Sequence, residues 1–226
     1  MKKVKIILVL SGIYSVLIVG CAPLESVIQT AIAQTEVART ATLPINIEFG
    51  PETVWNLGDH LDEFHNCNAQ KSIDCVITLM KNLGASPQAI AFTKLMQGEA
   101  YMSSFTEFGI VDLAEITYPS RANNNIEYIL INGNPQIVYV EDVYKVDITD
   151  DPNYLPLHQQ YPNLQIEGGE NIFKNKEQNS TGGERFIFGC QLVDGCHACQ
   201  TDKYAYIAFD FDSKGQFEDM KLMYIK

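Results

Sequence analysis

The sequence predicts an α+β protein in which N-terminal helices pack on a mainly antiparallel sheet. Two features of the apolar pattern predict it. Helical spacings occupy the segment before residue 98, and an alternating, period-two pattern takes over after residue 100. The predicted strands then follow one another in succession, and such strands pair as antiparallel neighbours, whereas a parallel sheet needs a helix in each crossover.

Three helices are predicted between residues 50 and 98. The first has apolar residues at positions 54, 57, 61 and 64, a helical spacing, and is expected to be broken by the polar pair Asn66 and Asn68. The second is predicted to begin at the capping residue Ser72 and to stop at Gly84. The third is predicted to begin at Ser86-Pro87, a cap followed by proline at the first helical position, and to end at Gly98.

Four strands are predicted next. Segments 100–108 and 111–118 alternate in polarity, and segment 127–131 leads into Asn132-Gly133, a hairpin signal, beyond which 137–146 continues. These four segments are predicted to form the first part of the sheet.

The remaining chain is predicted to contain long loops and three more strands. Residues 150–182 are rich in proline, glycine and asparagine and predict loops, with one short strand near 164–166. The last strands are predicted at 186–193, 204–211 and 217–225. In the middle one, Ala205 and Phe209 share a face that should be buried, while Tyr204 and Tyr206 lie on the other face, which is either a binding surface or a second packed face.

The chain is acidic, which argues against nucleic acid as a partner. Its 226 residues carry a formal net charge of −12. Without the first 20 residues, 13 basic residues face 28 acidic ones, a charge of −15, and no cluster of Lys and Arg is present. Nucleic-acid phosphates are bound by such clusters. We therefore expect no nucleic-acid partner.

The N-terminal segment has the pattern of an export signal. Residues 1–5 are positively charged, and residues 6–19 form an apolar stretch of about 14 residues, too short for a good membrane span. The predicted organisation is a signal peptide at 1–20, a small and polar tether at 21–45, and a single α+β domain at 46–226. The expected location is the bacterial cell envelope, either as a membrane-anchored lipoprotein or in the periplasm.

Two cleavage sites compete at the end of this signal. Ile18-Val19-Gly20-Cys21 resembles the lipobox of bacterial lipoproteins, which implies cleavage before Cys21, acylation of that residue and a membrane partner reached through the lipid anchor. The alternative is an A-x-A site at Ala31-Ile32-Ala33, with cleavage before Gln34. The lipobox is favoured because it lies directly after the apolar stretch.

Five further cysteines predict disulfides, because an exported chain enters an oxidising compartment. Cys67 and Cys75 are separated by a polar turn that is easily closed, so they are predicted to pair. The number is odd, which leaves one thiol free or paired with another chain.

The C-terminal three cysteines leave two pairings open. A tight hairpin at Asp194-Gly195 would place Cys190 opposite Cys199. The alternative is a local bridge between Cys196 and Cys199, which requires no assumption about hairpin register. The local bridge is slightly favoured, and Cys190 is then a buried thiol.

The sequence contains no motif that clearly indicates redox, metal or catalytic chemistry. A redox C-x-x-C follows a strand and opens a helix, whereas Cys196 and Cys199 lie between predicted strands. His60 and His65 are five residues apart and do not share a helix face, so no metal site is predicted. No phosphate-binding glycine loop or nucleophile motif occurs, so no cofactor and no catalytic residue are predicted, and an enzyme is less expected than a binding protein.

Several motifs together resemble one family. They are GEAYM at 98–102, LINGNP at 130–135, LVDGCHAC at 192–199 and AFDFD at 208–212. They are similar to an uncharacterised exported bacterial protein family, and the resemblance implies a shared fold over most of residues 70–226 without implying an activity.

Three functional hypotheses follow from the sequence. The first is a non-enzymatic envelope module that binds an unknown protein or small-molecule ligand through its sheet face or the 150–182 loops. The second is a thiol-disulfide redox protein that uses Cys196 and Cys199. The third is a scaffolding lipoprotein without a small ligand.

Overall fold

The structure, a computed structural model, describes residues 47–226 apart from Asn124 and the side chain of Glu170. The predicted signal, the tether and the processing sites Cys21 and Gln34 lie outside these residues. The described chain contains three N-terminal α-helices and two antiparallel sheets of four strands each, with further short helices between the sheets, which confirms the α+β class. None of its helices is long and apolar enough to cross a membrane.

Three α-helices open the domain after a short 3-10 helix at Pro51–Thr53. They are α1 (Leu61–Ala69), α2 (Ile73–Asn82) and α3 (Pro87–Leu95). The hydroxyl oxygens of Ser72 and Ser86 accept hydrogen bonds from the amides of Cys75 and Ala89, which confirms both predicted caps.

The prediction for the first helix was wrong at both ends. The chain is not helical from Val54 to Asn56, and Gly58 has a φ of +58° in the turn before α1. Asn66 lies within α1 rather than ending it, because this helix is exposed on one side and accepts polar residues there.

The first sheet has the order β1-β2-β3-β4. Its strands are β1 (Tyr101–Thr106), β2 (Asp112–Thr117), β3 (Ile126–Ile131) and β4 (Ile137–Tyr139). The fourth strand was predicted too long, since a 3-10 helix replaces it at Val140–Lys145. Val140 and Val143 of that helix are fully buried, and a strand could not place both of them on the core together with Leu130.

The second sheet has the order β5-β6-β7-β8 and follows a short helix, α4 (Tyr154–Gln160). Its strands are β5 (Leu164–Gln178), β6 (Glu184–Asp194), β7 (Gln200–Phe211) and β8 (Phe217–Ile225). Two predictions are corrected here. The strands form two sheets, and the supposed 150–182 loops contain α4 and a 15-residue strand. The polarity of β5 misled the prediction because it is an edge strand with two irregularities in its register.

The first sheet is covered on both faces. Leu113 and Leu130 pack toward Phe186 and Phe188 of the second sheet in one core cluster. On the opposite face, Ala114, Ile116 and Ile129 form a second cluster with Phe92 and Met96 of the α3 region.

A third cluster holds α1 and α2 together. It contains Phe64, Val76 and Met80, with Trp55 and Tyr101 at its edge. A groove lies between α2, the end of α3 and the segment that follows β2.

Candidate functional site

The first disulfide joins two helices. Cys67 of α1 and Cys75 in the first turn of α2 have Cα atoms 5.3 Å apart and are bonded, as the sequence favoured. The bridge encloses the turn that carries Lys71 and Ser72.

The second disulfide lies at the exposed tip of the β6–β7 hairpin. Cys196 and Cys199 are bonded, with Cα atoms 5.1 Å apart, and the amide of Asp194 donates to the carbonyl of Cys199 at 2.9 Å. Val193 pairs with Gln200, so the tight two-residue hairpin considered for this segment does not form. Both disulfides fit an oxidising compartment.

Cys190 is a free thiol in the core between the sheets. Burial raises the pKa of this thiol to about 12. It therefore stays protonated at neutral pH, and a protonated, inaccessible thiol is a poor nucleophile.

The surroundings of the Cys196–Cys199 bridge are strands. β7 begins at Gln200, directly after the second cysteine, so the bridge is followed by a strand and not by a helix N-terminus. Between the two cysteines, Nδ1 of His197 lies 3.4 Å from Oε2 of Glu167. Within residues 47–226, apart from Asn124 and the Glu170 side chain, no group of three His, Cys, Asp or Glu side chains is close enough to hold a metal ion.

The tyrosines of β7 lie where the sequence placed them. Ala205, Ile207, Phe209 and Phe211 are fully buried, whereas Tyr204 and Tyr206 are half-buried on the outer face. The ring of Tyr206 stacks on that of Tyr224 from β8, with centroids 4.5 Å apart. This outer face is partly exposed to solvent.

A groove of about 800 Å³ lies between the helices and the segment after β2. Four stretches of chain line it: the turn from α1 into α2, the body of α2, the end of α3, and residues 118–121. The polar side chains on its wall are Asn68, Lys71, Ser72, Lys94, Gln97, Glu99, Ser120 and Arg121. Its volume is that of a small-molecule site.

The groove is basic although the domain is acidic. The described residues contain 12 Lys and Arg against 26 Asp and Glu, a formal charge of −14. Three of the 12 basic side chains, Lys71, Lys94 and Arg121, line this groove, together with one acidic side chain, Glu99. Local charge in the groove is therefore opposite to that of the whole surface.

Two residues of the groove have a left-handed backbone conformation. Lys71 has a φ of +52° and Gln97 a φ of +55°, each just after a helix. Glycine is the usual residue at such a helix end, because a side chain there costs about 1 kcal/mol. Long polar side chains thus occupy positions where the backbone alone would favour glycine.

Arg121 is held in place from two sides. Its guanidinium lies 3.4 Å from the centroid of the Tyr118 ring and forms an ion pair with the carboxylate of Glu127. Glu127 is only 5% exposed, and burial, with the neighbouring carboxyl of Glu141, raises the pKa of Glu127 to about 7. A buried acid thus lies directly behind the exposed arginine.

Sequence reasoning missed this groove. Its basic residues come from positions 71, 94 and 121, which share no motif and no periodic pattern. The one available signal was the absence of glycine after α1, where a helix end would favour it.

Comparison of the chain with protein-family models, with curated proteins and with solved structures finds no match in any of the three.

Proposed function

We propose that the chain is an exported envelope protein whose folded domain binds a small ligand in the groove between α2, α3 and residues 118–121. The observation that carries this proposal is the groove itself, which has the volume of a ligand site and polar side chains from three separate stretches of chain. Elsewhere the candidate chemistry is limited, because the free thiol of Cys190 is buried.

Export is supported by the N-terminal pattern and by the cysteines. The basic residues 1–5 and the apolar stretch 6–19 have the composition of a signal peptide, and Cys21 stands where a lipobox requires cysteine. Two disulfides also suit an oxidising location. In this proposal a lipid on Cys21 holds the domain at a membrane surface.

The intact mass of the protein isolated from its own envelope tests export and anchoring. We expect the mass of residues 21–226 plus acyl chains, with four cysteines protected from alkylation until reduction. A chain that begins at Gln34 would overturn the lipid anchor, and an unprocessed chain would overturn export.

Chemical-shift mapping tests the location of the site. The ¹⁵N-labelled processed protein is titrated with the neutral probes phenol, acetamide and indole at millimolar concentration. We expect the amide shifts to cluster at Ser72, Gln97 and Ser120. Shifts that cluster instead at Tyr206 and Tyr224, or spread evenly, would overturn the groove as the binding site.

A thiol-disulfide role is the second candidate, and the exposure of the Cys196–Cys199 bridge favours it. The strand that follows the bridge argues against it, since a helix N-terminus is what lowers the thiol pKa in such motifs. Turnover in an insulin-reduction assay, lost in Cys196→Ser, would establish this role. We expect no turnover.

A further inference from the structure

We infer that the ligand of the groove is a small oxyanion, carrying phosphate or carboxylate groups, held by Lys71, Lys94 and Arg121. The inference rests on the proposed function, because it names the chemical class of ligand for the same groove.

The charge distribution is the first argument. A domain with a charge of −14 repels small anions at long range, so a groove lined by three basic side chains and one acidic side chain is unexpected on it. Among the described residues, no carboxylate lies within ion-pair distance of the amines of Lys71 or Lys94. Glu99 shares the groove but forms no ion pair there. Two ammonium groups are therefore available to a ligand.

The backbone is the second argument. Lys71 and Gln97 adopt the left-handed conformation that glycine adopts without cost, and both line the groove. No hydrogen bond from either side chain to a described residue explains why glycine is absent. A ligand that these side chains contact would supply the reason.

The fixed orientation of the Arg121 guanidinium is the third argument. Stacking on Tyr118 and the ion pair with Glu127 hold the guanidinium in one orientation, while its side chain remains 36% exposed. A planar guanidinium carries five N–H donors, so one ion pair leaves others for a second oxyanion. Ser72 and Ile73, at the N-terminus of the ten-residue helix α2, lie on the same wall, where the helix dipole favours negative charge.

Calorimetric titration of the processed protein at low ionic strength tests this inference. Pyrophosphate and citrate serve as the phosphate and carboxylate probes. We expect at least one of them to bind, and binding of one alone identifies which oxyanion the groove prefers. Lys71→Gly and Lys94→Ala should each weaken binding by about fivefold or more, since each removes one of three cations. Lys81→Ala, an equal change of charge on the exposed part of α2, should change affinity by less than about twofold.

Lys71→Gly also separates binding from folding. Glycine suits the backbone at this position, so the variant should unfold at the same urea concentration as the parent or a higher one while it loses affinity. No binding of either anion, or an equal loss in Lys81→Ala, would overturn the oxyanion assignment. If the neutral probes still map to the groove in that event, the proposed function stands and only the ligand class is wrong.

Discussion

Among the described residues, three other than glycine have a positive φ, and they have it for different reasons. Asn132, with a φ of +69°, uses its side chain: its amide group bonds Phe49 in both directions and donates to Asp112 at 2.8 Å. Lys71 and Gln97 have the same backbone without such bonds. At Asn132 the conformation serves the fold, and at the other two positions we connect it with the groove.

Glycine substitutions should therefore have opposite effects on stability. We expect Lys71→Gly to raise the free energy of unfolding by between zero and about 1 kcal/mol. Glycine removes the strain of the left-handed backbone conformation, and the greater conformational entropy of the unfolded variant partly offsets this gain. We expect Asn132→Gly to lose about 2–3 kcal/mol with its three partly buried hydrogen bonds. Urea unfolding measures both, and equal effects would contradict this account.

Glu127 should make stability depend on pH. The pKa of Glu127 is about 7 in the fold against an ordinary value of 4.5, so between these values the unfolded chain has released a proton that the folded protein keeps. The free energy of unfolding therefore falls as pH rises through this window and levels off above it. Glu127→Gln lacks this step.

Urea unfolding at pH 5 and pH 8 measures the Glu127 contribution. We expect the parent to lose about 1–3 kcal/mol more than Glu127→Gln over this interval, an amount reduced by the ion pair with Arg121. Glu218→Gln, at an exposed position, is the control and should follow the parent. Parallel profiles for the parent and Glu127→Gln would rule out the raised pKa.

Among the elements, the two disulfides have different mechanical roles. The Cys67–Cys75 bridge ties α1 to the start of α2 and encloses the turn that presents Lys71 to the groove. The Cys196–Cys199 bridge closes a hairpin tip that the Asp194–Cys199 backbone bond also holds. The first bridge connects two helices, and the second stabilises the tip of a single hairpin.

Removal of each bridge should reflect this difference. The double variant Cys67→Ala/Cys75→Ala should lose about 2–3 kcal/mol of unfolding free energy, as expected for closing a loop of eight-residue separation. Cys196→Ala/Cys199→Ala closes a shorter loop at an exposed tip and should lose under about 2 kcal/mol. Thermal unfolding compares them, and a larger loss in the second variant would reverse the assignment of roles.

At the scale of the whole molecule, the two sheets share one core. Phe188 of β6 is fully buried. The centroid of its ring lies 5.7 Å from the ring centroid of Tyr128 in the first sheet and 5.5 Å from that of Phe209 in the second. Contacts of this kind connect the stability of one sheet to that of the other.

Phe188→Ala should accordingly destabilise both sheets together. We expect a loss of about 3–5 kcal/mol in a single transition, because a large cavity opens between the sheets. Tyr206→Ala, on the outer face of the neighbouring strand, should cost only about 1 kcal/mol through its lost stacking on Tyr224. Hydrogen exchange by strand would detect separate unfolding of the sheets, which would contradict a shared core.

Local patterns predicted local structure well. The caps at Ser72 and Ser86, the buried face of β7 and the three helices that precede the first strand all depend on near neighbours in sequence, and all are present. The failures were long-range. Strand β5 was predicted as a loop because most of its 15 residues are polar or glycine. The division into two sheets depends on which strands pair.

The α+β class and the capped helices could be predicted from the sequence because they follow from short-range periodicity. Short chain separation favoured the two bridges that form, but the choice between Cys190 and Cys196 as the partner of Cys199 was settled by the fold. The position of the groove also depends on the fold. Lys71, Lys94 and Arg121 are brought together by the packing of α2 and α3 beside the end of β2. Contacts between segments so far apart leave no periodic trace in a single chain, and for that reason the candidate site emerged only from the fold.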